Sequence, residues 1–151
     1  MKIFKKLFYL SSTDFAQVDI GFLHLLSNTF NLSYYVIITK NPNYNESELI
    51  DYCNKYDIPV KFFYLKRRAR DPRIAFDFFK ILSEIKRSKS DIVYTTSFDN
   101  PILSLMCLML NNKKTIISLH DVIFHSGIPF SMLFQFSRKI IISHFKFFQV
   151  F

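Results

Sequence analysis

The run Leu32-Ser33-Tyr34-Tyr35-Val36-Ile37-Ile38 is apolar on nearly every consecutive residue and rich in β-branched and aromatic side chains. A strand with one wet face alternates apolar and polar residues. A continuous apolar run instead fits a strand covered on both faces, as in a parallel sheet flanked by helices. Ile116-Ile117 repeats the signal further along. That pair belongs to the strand candidate Thr115 to Leu119, and others fall at Lys2 to Leu10, Val60 to Leu65, Asp91 to Thr95 and Phe145 to Phe151.

Helix signals occupy the intervals. Asp14 with Gln17, and Asn45 with Glu48, have the spacing at which a side chain caps free backbone N–H groups and a second reaches back. Asp71-Pro72 and Asn100-Pro101 place a capping side chain before a proline suited to a first helical turn. After Asp71, the residues Ile74, Phe78, Ile81, Leu82 and Ile85 recur at helical spacing, with Asp77, Lys80 and Glu84 between them. That pattern predicts one apolar stripe laid on a sheet. Strictly alternating strands and helices imply parallel strands with right-handed crossovers. The fold expected is α/β, a Rossmann-like three-layer sandwich with a mostly parallel sheet, in a single domain over residues 1–151.

Composition agrees. A chain of 151 residues can bury about 68–70% of its unfolded surface around one core. Half its residues are hydrophobic and its mean hydropathy is +0.14, too apolar for disorder and too interrupted by charge for an integral membrane protein. The longest uncharged apolar stretch, Pro101 to Leu110, would span about 15 Å as a helix against a hydrocarbon core of about 30 Å. Ser11-Ser12-Thr13-Asp14 ends the first apolar run before a signal-peptide core can form. Cys53 and Cys107 have no metal or redox spacing and are expected to be buried thiols, which points to the cytosol. The net charge of +8 favours anionic surfaces or ligands.

Common nucleotide sites are missing from the pattern. The turn after the first strand reads Ser11-Ser12-Thr13-Asp14-Phe15-Ala16, not Gly-x-Gly-x-x-Gly, so NAD and FAD are not expected. No Gly-x4-Gly-Lys-Ser/Thr loop occurs, and no cofactor is expected.

In open α/β sheets ligands bind beyond the carboxyl ends of the strands. Two constellations lie there. In Ser118-Leu119-His120-Asp121-Val122-Ile123-Phe124-His125-Ser126-Gly127 an apolar strand runs directly into titratable groups. In Lys66-Arg67-Arg68-Ala69-Arg70 with Arg73, five cations follow the third strand.

The first constellation, with the order of elements, resembles the amino-terminal domain of family-4 (group 1) glycosyltransferases, which have two facing Rossmann-like domains. His120-Asp121-x-x-x-His125-Ser126-Gly127 looks like that family's His-Asp-x-x-x-His-x-Gly loop, and the resemblance covers essentially all 151 residues. One departure is the missing glycine-rich turn after the first strand. The resemblance implies an acceptor-side half of a sugar-nucleotide-dependent enzyme of bacterial surface polysaccharide or glycolipid synthesis. The donor-binding domain, with its Glu-x7-Glu pair, is expected outside these residues, since Glu46, Glu48 and Glu84 provide no such pair. This half alone is expected to be inactive.

On that reading His120 is the catalytic candidate, since an imidazole near neutrality can donate to or accept from a sugar hydroxyl or diphosphate. Ser12, Thr13, Asp121 and His125 line the acceptor or donor-phosphate cleft. Lys66, Arg67, Arg68, Arg70 and Arg73 meet an anionic acceptor or the inner face of the plasma membrane, each cation near anionic lipid contributing about 1 kcal/mol. The ordinary alternatives are structural histidines and a solvated basic loop. No metal is expected, because His120, Asp121 and His125 would need a further ligand. Partners expected are the donor-binding domain and a glycan or lipid-linked acceptor. Nucleic acid is not favoured, since the aromatic residues sit mostly in strands and on helix stripes. Two alternatives stand beside this reading. One is a non-catalytic subunit that pairs with a separate donor-domain chain through the Phe-rich end at 145–151. The other is a basic nucleic-acid-binding module.

Overall fold

The computed structural model describes residues 4–38, 45–65, 71–96, 101–119 and 131–150. Six strands form one sheet: β1 (Lys6–Ser12), β2 (Asn31–Ile38), β3 (Val60–Tyr64), β4 (Ile92–Thr96), β5 (Thr115–Leu119) and β6 (Phe147–Val150). Their order across the sheet is β3-β2-β1-β4-β5-β6. Every neighbouring pair is parallel. The helices are α1 (Ala16–Ile20), α2 (Leu23–Thr29), α3 (Glu46–Lys55), α4 (Ile74–Ser88), α5 (Pro101–Met106) and α6 (Ser131–His144).

Two apolar cores, one on each face, make the molecule a three-layer α/β sandwich of Rossmann-like type. Leu7 and Tyr9 of β1, with Leu32, Tyr34 and Val36 of β2, pack against Ala16, Leu23, Leu49 and Cys53 from α1 to α3. The alternate residues Phe8 and Leu10, with Val93 and Ile117, pack against α4, the segment around Met106 and Cys107, and Ile141 of α6. Successive residues of a strand point to opposite faces, so the unbroken apolar runs read in the sequence serve two cores at once. Among the described residues, no helix is long and apolar enough to cross a membrane.

The α4 stripe is as the spacing predicts: Ile74, Phe78, Ile81, Leu82 and Ile85 are all buried. The helix stops at Lys89, whose φ of 50° and ψ of 35° form a left-handed cap. Asp71 accepts the Arg73 N–H at 2.9 Å, but α4 starts only at Ile74 with Arg73 at its N-cap, so Pro72 lies in the turn before the helix and not at its first position as expected. Asn45 caps α3 by accepting the Ser47 N–H at 3.1 Å. Pro101 opens α5 as expected, while Asn100 lies outside the described residues.

Three further expectations need correction. Asp14 caps nothing in the way its spacing with Gln17 suggests. It sits exposed within a 3₁₀ turn (Thr13–Phe15), and no side chain caps α1. The first strand begins at Lys6 and runs through Ser12, because Ser11 and Ser12 still pair with Val36 and Ile37. The last strand begins at Phe147, since the Phe145 N–H is still bonded to the Ile141 carbonyl of α6 at 3.0 Å.

The burial of α4 is directly testable. Phe78 is fully buried while Phe76, two positions earlier, is 65% exposed. Phe78→Ala should destabilise by roughly 3–5 kcal/mol through lost contacts and a residual cavity. Phe76→Ala should stay within about 0.5 kcal/mol. Urea unfolding of both variants reads the contrast.

Candidate functional site

The carboxyl edge of the sheet changes chemistry within two residues. β1 ends in Ser11-Ser12, β4 in Thr95-Thr96, and β5 in Ser118-Leu119. Ser11, Ser12, Thr13, Thr95, Thr96 and Ser118 are all buried. Thr96 and Ser118 are register partners on adjacent strands. Ser11 follows the Leu10–Thr95 pair, which sets it beside Thr96. Alternation then places Ser11, Thr96 and Ser118 on the face that carries Tyr9 and Tyr94. Thr95 Oγ1 donates to the Thr96 carbonyl at 3.2 Å. The Thr96 hydroxyl, 2% exposed, has no partner among the described residues. A buried hydroxyl without a partner among the described residues is uncommon.

The strand order sets where this edge opens. From β1 the chain moves to β2 on one side, whereas β4, β5 and β6 extend on the other, so β1 and β4 flank the topological switch point. Loops leave such a point in opposite directions and create a crevice, the usual ligand position in open α/β sheets. The hydroxyl row lies at the strand ends on either side of this point.

The chain matches no family model, no curated protein and no solved structure. The site is therefore read from its own residues.

Beneath the hydroxyl row lies a buried carboxylate that the sequence did not single out. Asp19 of α1 is 1% exposed. Both Tyr9 and Tyr34 donate their hydroxyls to it, Tyr34 to Oδ2 at 2.5 Å. Burial pushes the Asp19 carboxyl up to about 6, and hydrogen bonds from Ser11, Tyr34 and Tyr9 oppose that rise. Burial, reinforced by the Asp19 charge, holds both tyrosines far above their ordinary range, so they act as donors only. Tyr94 extends the polar face, donating to Gln149 Oε1 at 2.7 Å across the intervening β5. Asp19 lies three residues after the buried Ala16 on α1, a spacing too short to mark it as interior from the sequence.

The candidates named from the sequence divide as follows. Ser12 and Thr13 come together at the switch point, 6% and 3% exposed, as lining of the edge and not as an open loop. Arg73 lies elsewhere, in a bidentate pair with Asp71 through Nε at 3.0 Å and Nη2 at 2.9 Å. His120, Asp121, His125, Lys66, Arg67, Arg68 and Arg70 lie outside the described residues. Among the described residues no group of histidine, cysteine or acidic side chains can hold a metal ion. Cys53 and Cys107 are free and buried, and burial pushes their thiols up to about 11 and about 12. Neither is an activated nucleophile.

An open cleft of about 360 Å³ lies between the end of β3 and α4, bordered by Tyr64, Asp77, Lys80, Glu84 and Arg87. It is remote from the switch point. Its charges are engaged with one another: Lys61 with Glu84 at 2.9 Å, Arg87 with Glu84 at 3.8 Å and Lys80 with Asp77 at 4.0 Å. The chemistry favours the switch point.

The Asp19 node makes a prediction with a definite sign. Its carboxyl titrates higher folded than unfolded, so the folded chain binds the extra proton between about pH 4 and pH 6. This group's contribution to stability is thus greatest in acid and is lost as pH rises through about 6, opposite to an ordinary ion-paired aspartate. The Tm of the wild type relative to Asp19→Asn should rise by several degrees as pH falls from neutral to acid. A pH-independent difference in differential scanning calorimetry contradicts the assignment.

Proposed function

We propose that this chain is the acceptor-side domain of a sugar-nucleotide-dependent glycosyltransferase, acting on a glycan or lipid-linked acceptor. The observation that carries the proposal is the hydroxyl-rich carboxyl edge at the switch point, with β5 ending at Leu119, immediately before His120-Asp121 in the chain. A polyhydroxylated ligand needs many neutral donors and acceptors at short spacing. Ser11, Thr96 and Ser118, on three adjacent strands, are of that kind.

In this reading the hydroxyl row positions the acceptor. His120 hydrogen-bonds the reacting hydroxyl or the departing diphosphate, and Asp121 orients its imidazole. The sugar nucleotide is held by a donor-binding domain outside these residues. In this reading the Asp19–Tyr9–Tyr34 node does no chemistry, since its carboxylate and both tyrosine hydroxyls are bonded to one another. It holds the segment after β1 in place, and with it Ser12 and Thr13.

Titration of the 151-residue chain by NMR separates the readings. A short-chain polyprenyl-diphosphate-linked N-acetylglucosamine should shift signals at Ser11 to Thr13 and Thr96, while UDP-glucose should shift none. His120→Ala should weaken acceptor binding by at least about tenfold, the worth of one hydrogen bond to a charged group, with Tm unchanged. Equal losses of binding and Tm overturn the assignment of His120. Strongly salt-dependent binding to RNA or DNA, abolished by neutralising Arg67, Arg68 and Arg70, replaces the proposal with a nucleic-acid module.

A further inference from the structure

The outward surface of the α4–α6 layer combines three properties. It exposes large apolar side chains: Phe76 at 65%, Phe79 at 49%, Met109 at 48%, Phe136 at 59% and Ile142 at 50%. They lie on the solvent side of helices whose other faces are fixed in the core. In α4 the buried stripe runs through Ile74, Phe78 and Ile85, which leaves Phe76 pointing away from the sheet. In α6 Ser137 and Ile141 face inward, so Lys139 points outward with Phe136 and Ile142 on either side of it.

The second property is charge. From Pro101 to Phe151 the chain carries Lys113, Lys114, Arg138, Lys139 and Lys146 against the single acid Asp121. On α4, the acids Asp77 and Glu84 turn into the cleft beside β3, with side chains only 15% and 28% exposed. Lys86, Lys139 and Lys146 are exposed, and no ion pair among the described residues involves them. The third property is arrangement: apolar side chains and cations are interleaved on adjoining helices, not separated into an apolar patch and a charged rim.

We propose that this face docks on the surface of an anionic phospholipid bilayer, with Phe136, Ile142, Phe76 and Phe79 entering the headgroup boundary and the lysines meeting lipid phosphates. Amphipathic helices rich in lysine and arginine, with aromatic and aliphatic residues beside them, bind such surfaces through apolar burial and electrostatic attraction together. A second copy of the chain is a poorer occupant, since a face with unpaired lysines repels its own replica. Single-stranded nucleic acid is also a poorer fit. It requires a basic groove with stacked rings, whereas these rings stand on the outer surfaces of helices beside aliphatic Ile142 and Met109. The inference stands on exposure and charge alone and is independent of the proposed glycosyl transfer.

Co-sedimentation of the 151-residue chain with vesicles of mixed phosphatidylglycerol and phosphatidylcholine tests it. Binding should occur to these vesicles, weaken with added salt and be absent with pure phosphatidylcholine. The double variant Phe136→Ser with Ile142→Ser should lose at least about tenfold in affinity, because two side chains lose their burial in the boundary. Its fold should be retained with the Tm lowered by only a few degrees, since both side chains are about half exposed in the fold. Lys139→Glu should weaken binding as well. No binding to the anionic vesicles overturns the proposal. So does binding that survives the double variant while disappearing when Arg67, Arg68 and Arg70 are neutralised. Self-association or RNA binding that the double variant abolishes, without vesicle binding, assigns the face to those partners instead.

Discussion

The architecture depends on the parallel pairing of β1 on both of its edges. It matches β2 over seven residues and β4 over four, so its backbone is satisfied laterally and its side chains must be satisfied above and below. Phe8, Tyr9 and Leu10 are all almost fully enclosed. A parallel strand in this position is stable only with helices on both faces. The helices that follow β1 and β2 cover one face, and those that follow β3, β4 and β5 cover the other. The exchange of faces coincides with the exchange of direction at β1 and β4. One constraint, the double burial of a central parallel strand, therefore fixes both the three-layer form and the place of the crevice.

The polar chemistry at that crevice is compatible with burial only because it is local and well bonded. A carboxylate sealed under a sheet is strongly disfavoured unless donors surround it. Asp19 meets this condition through Tyr9 and Tyr34, one from each of two paired strands. These bonds join α1 to β1 and β2 together, so α1 cannot slide or rotate on the sheet without exposing a charge to an apolar core. Apolar packing alone tolerates small shifts of a five-residue helix. A charge with two specific donors does not. The segment from Ser12 to Phe15, held between β1 and α1, inherits that fixed position.

What the sequence disclosed follows the range over which each signal acts. The α4 stripe was legible because helical spacing is a local property, and Ile74 to Ile85 obey it without interruption. The strands were legible from consecutive apolar residues such as Tyr34 to Ile38. The order of strands across the sheet was not, because pairing joins residues as distant as Leu7 and Ile92 and leaves no periodic trace. Asp14 showed a capping spacing, yet the chain enters a 3₁₀ turn there and the side chain stays in water. Asp19 was overlooked for the converse reason. An acid in a short helix ordinarily marks a solvated position, and only the tertiary placement of two tyrosines makes it an interior group. Ser11 and Ser12 resembled a loop by composition, whereas the ladder to β2 carries them into the strand. At the carboxyl edge of β5 the reading still belongs to the sequence, since His120, Asp121 and His125 fall beyond Leu119.

The two proposed surfaces are separated by the geometry of the sandwich itself. Strands and helices lie in stacked planes, so the outward face of α4 to α6 is parallel to the sheet, whereas the carboxyl edge lies at the ends of the strands, at right angles to it. A bilayer against Phe136 and Ile142 would therefore leave the crevice between β1 and β4 open at the side. A lipid-linked acceptor could reach the hydroxyl row by bending along the protein flank, without leaving the membrane surface. The helices between the two surfaces are rigidly packed through Phe78, Ile81 and Ile141. Contact at the outer face would then set the height of Ser11, Thr96 and Ser118 above the bilayer, without any change of conformation within the domain.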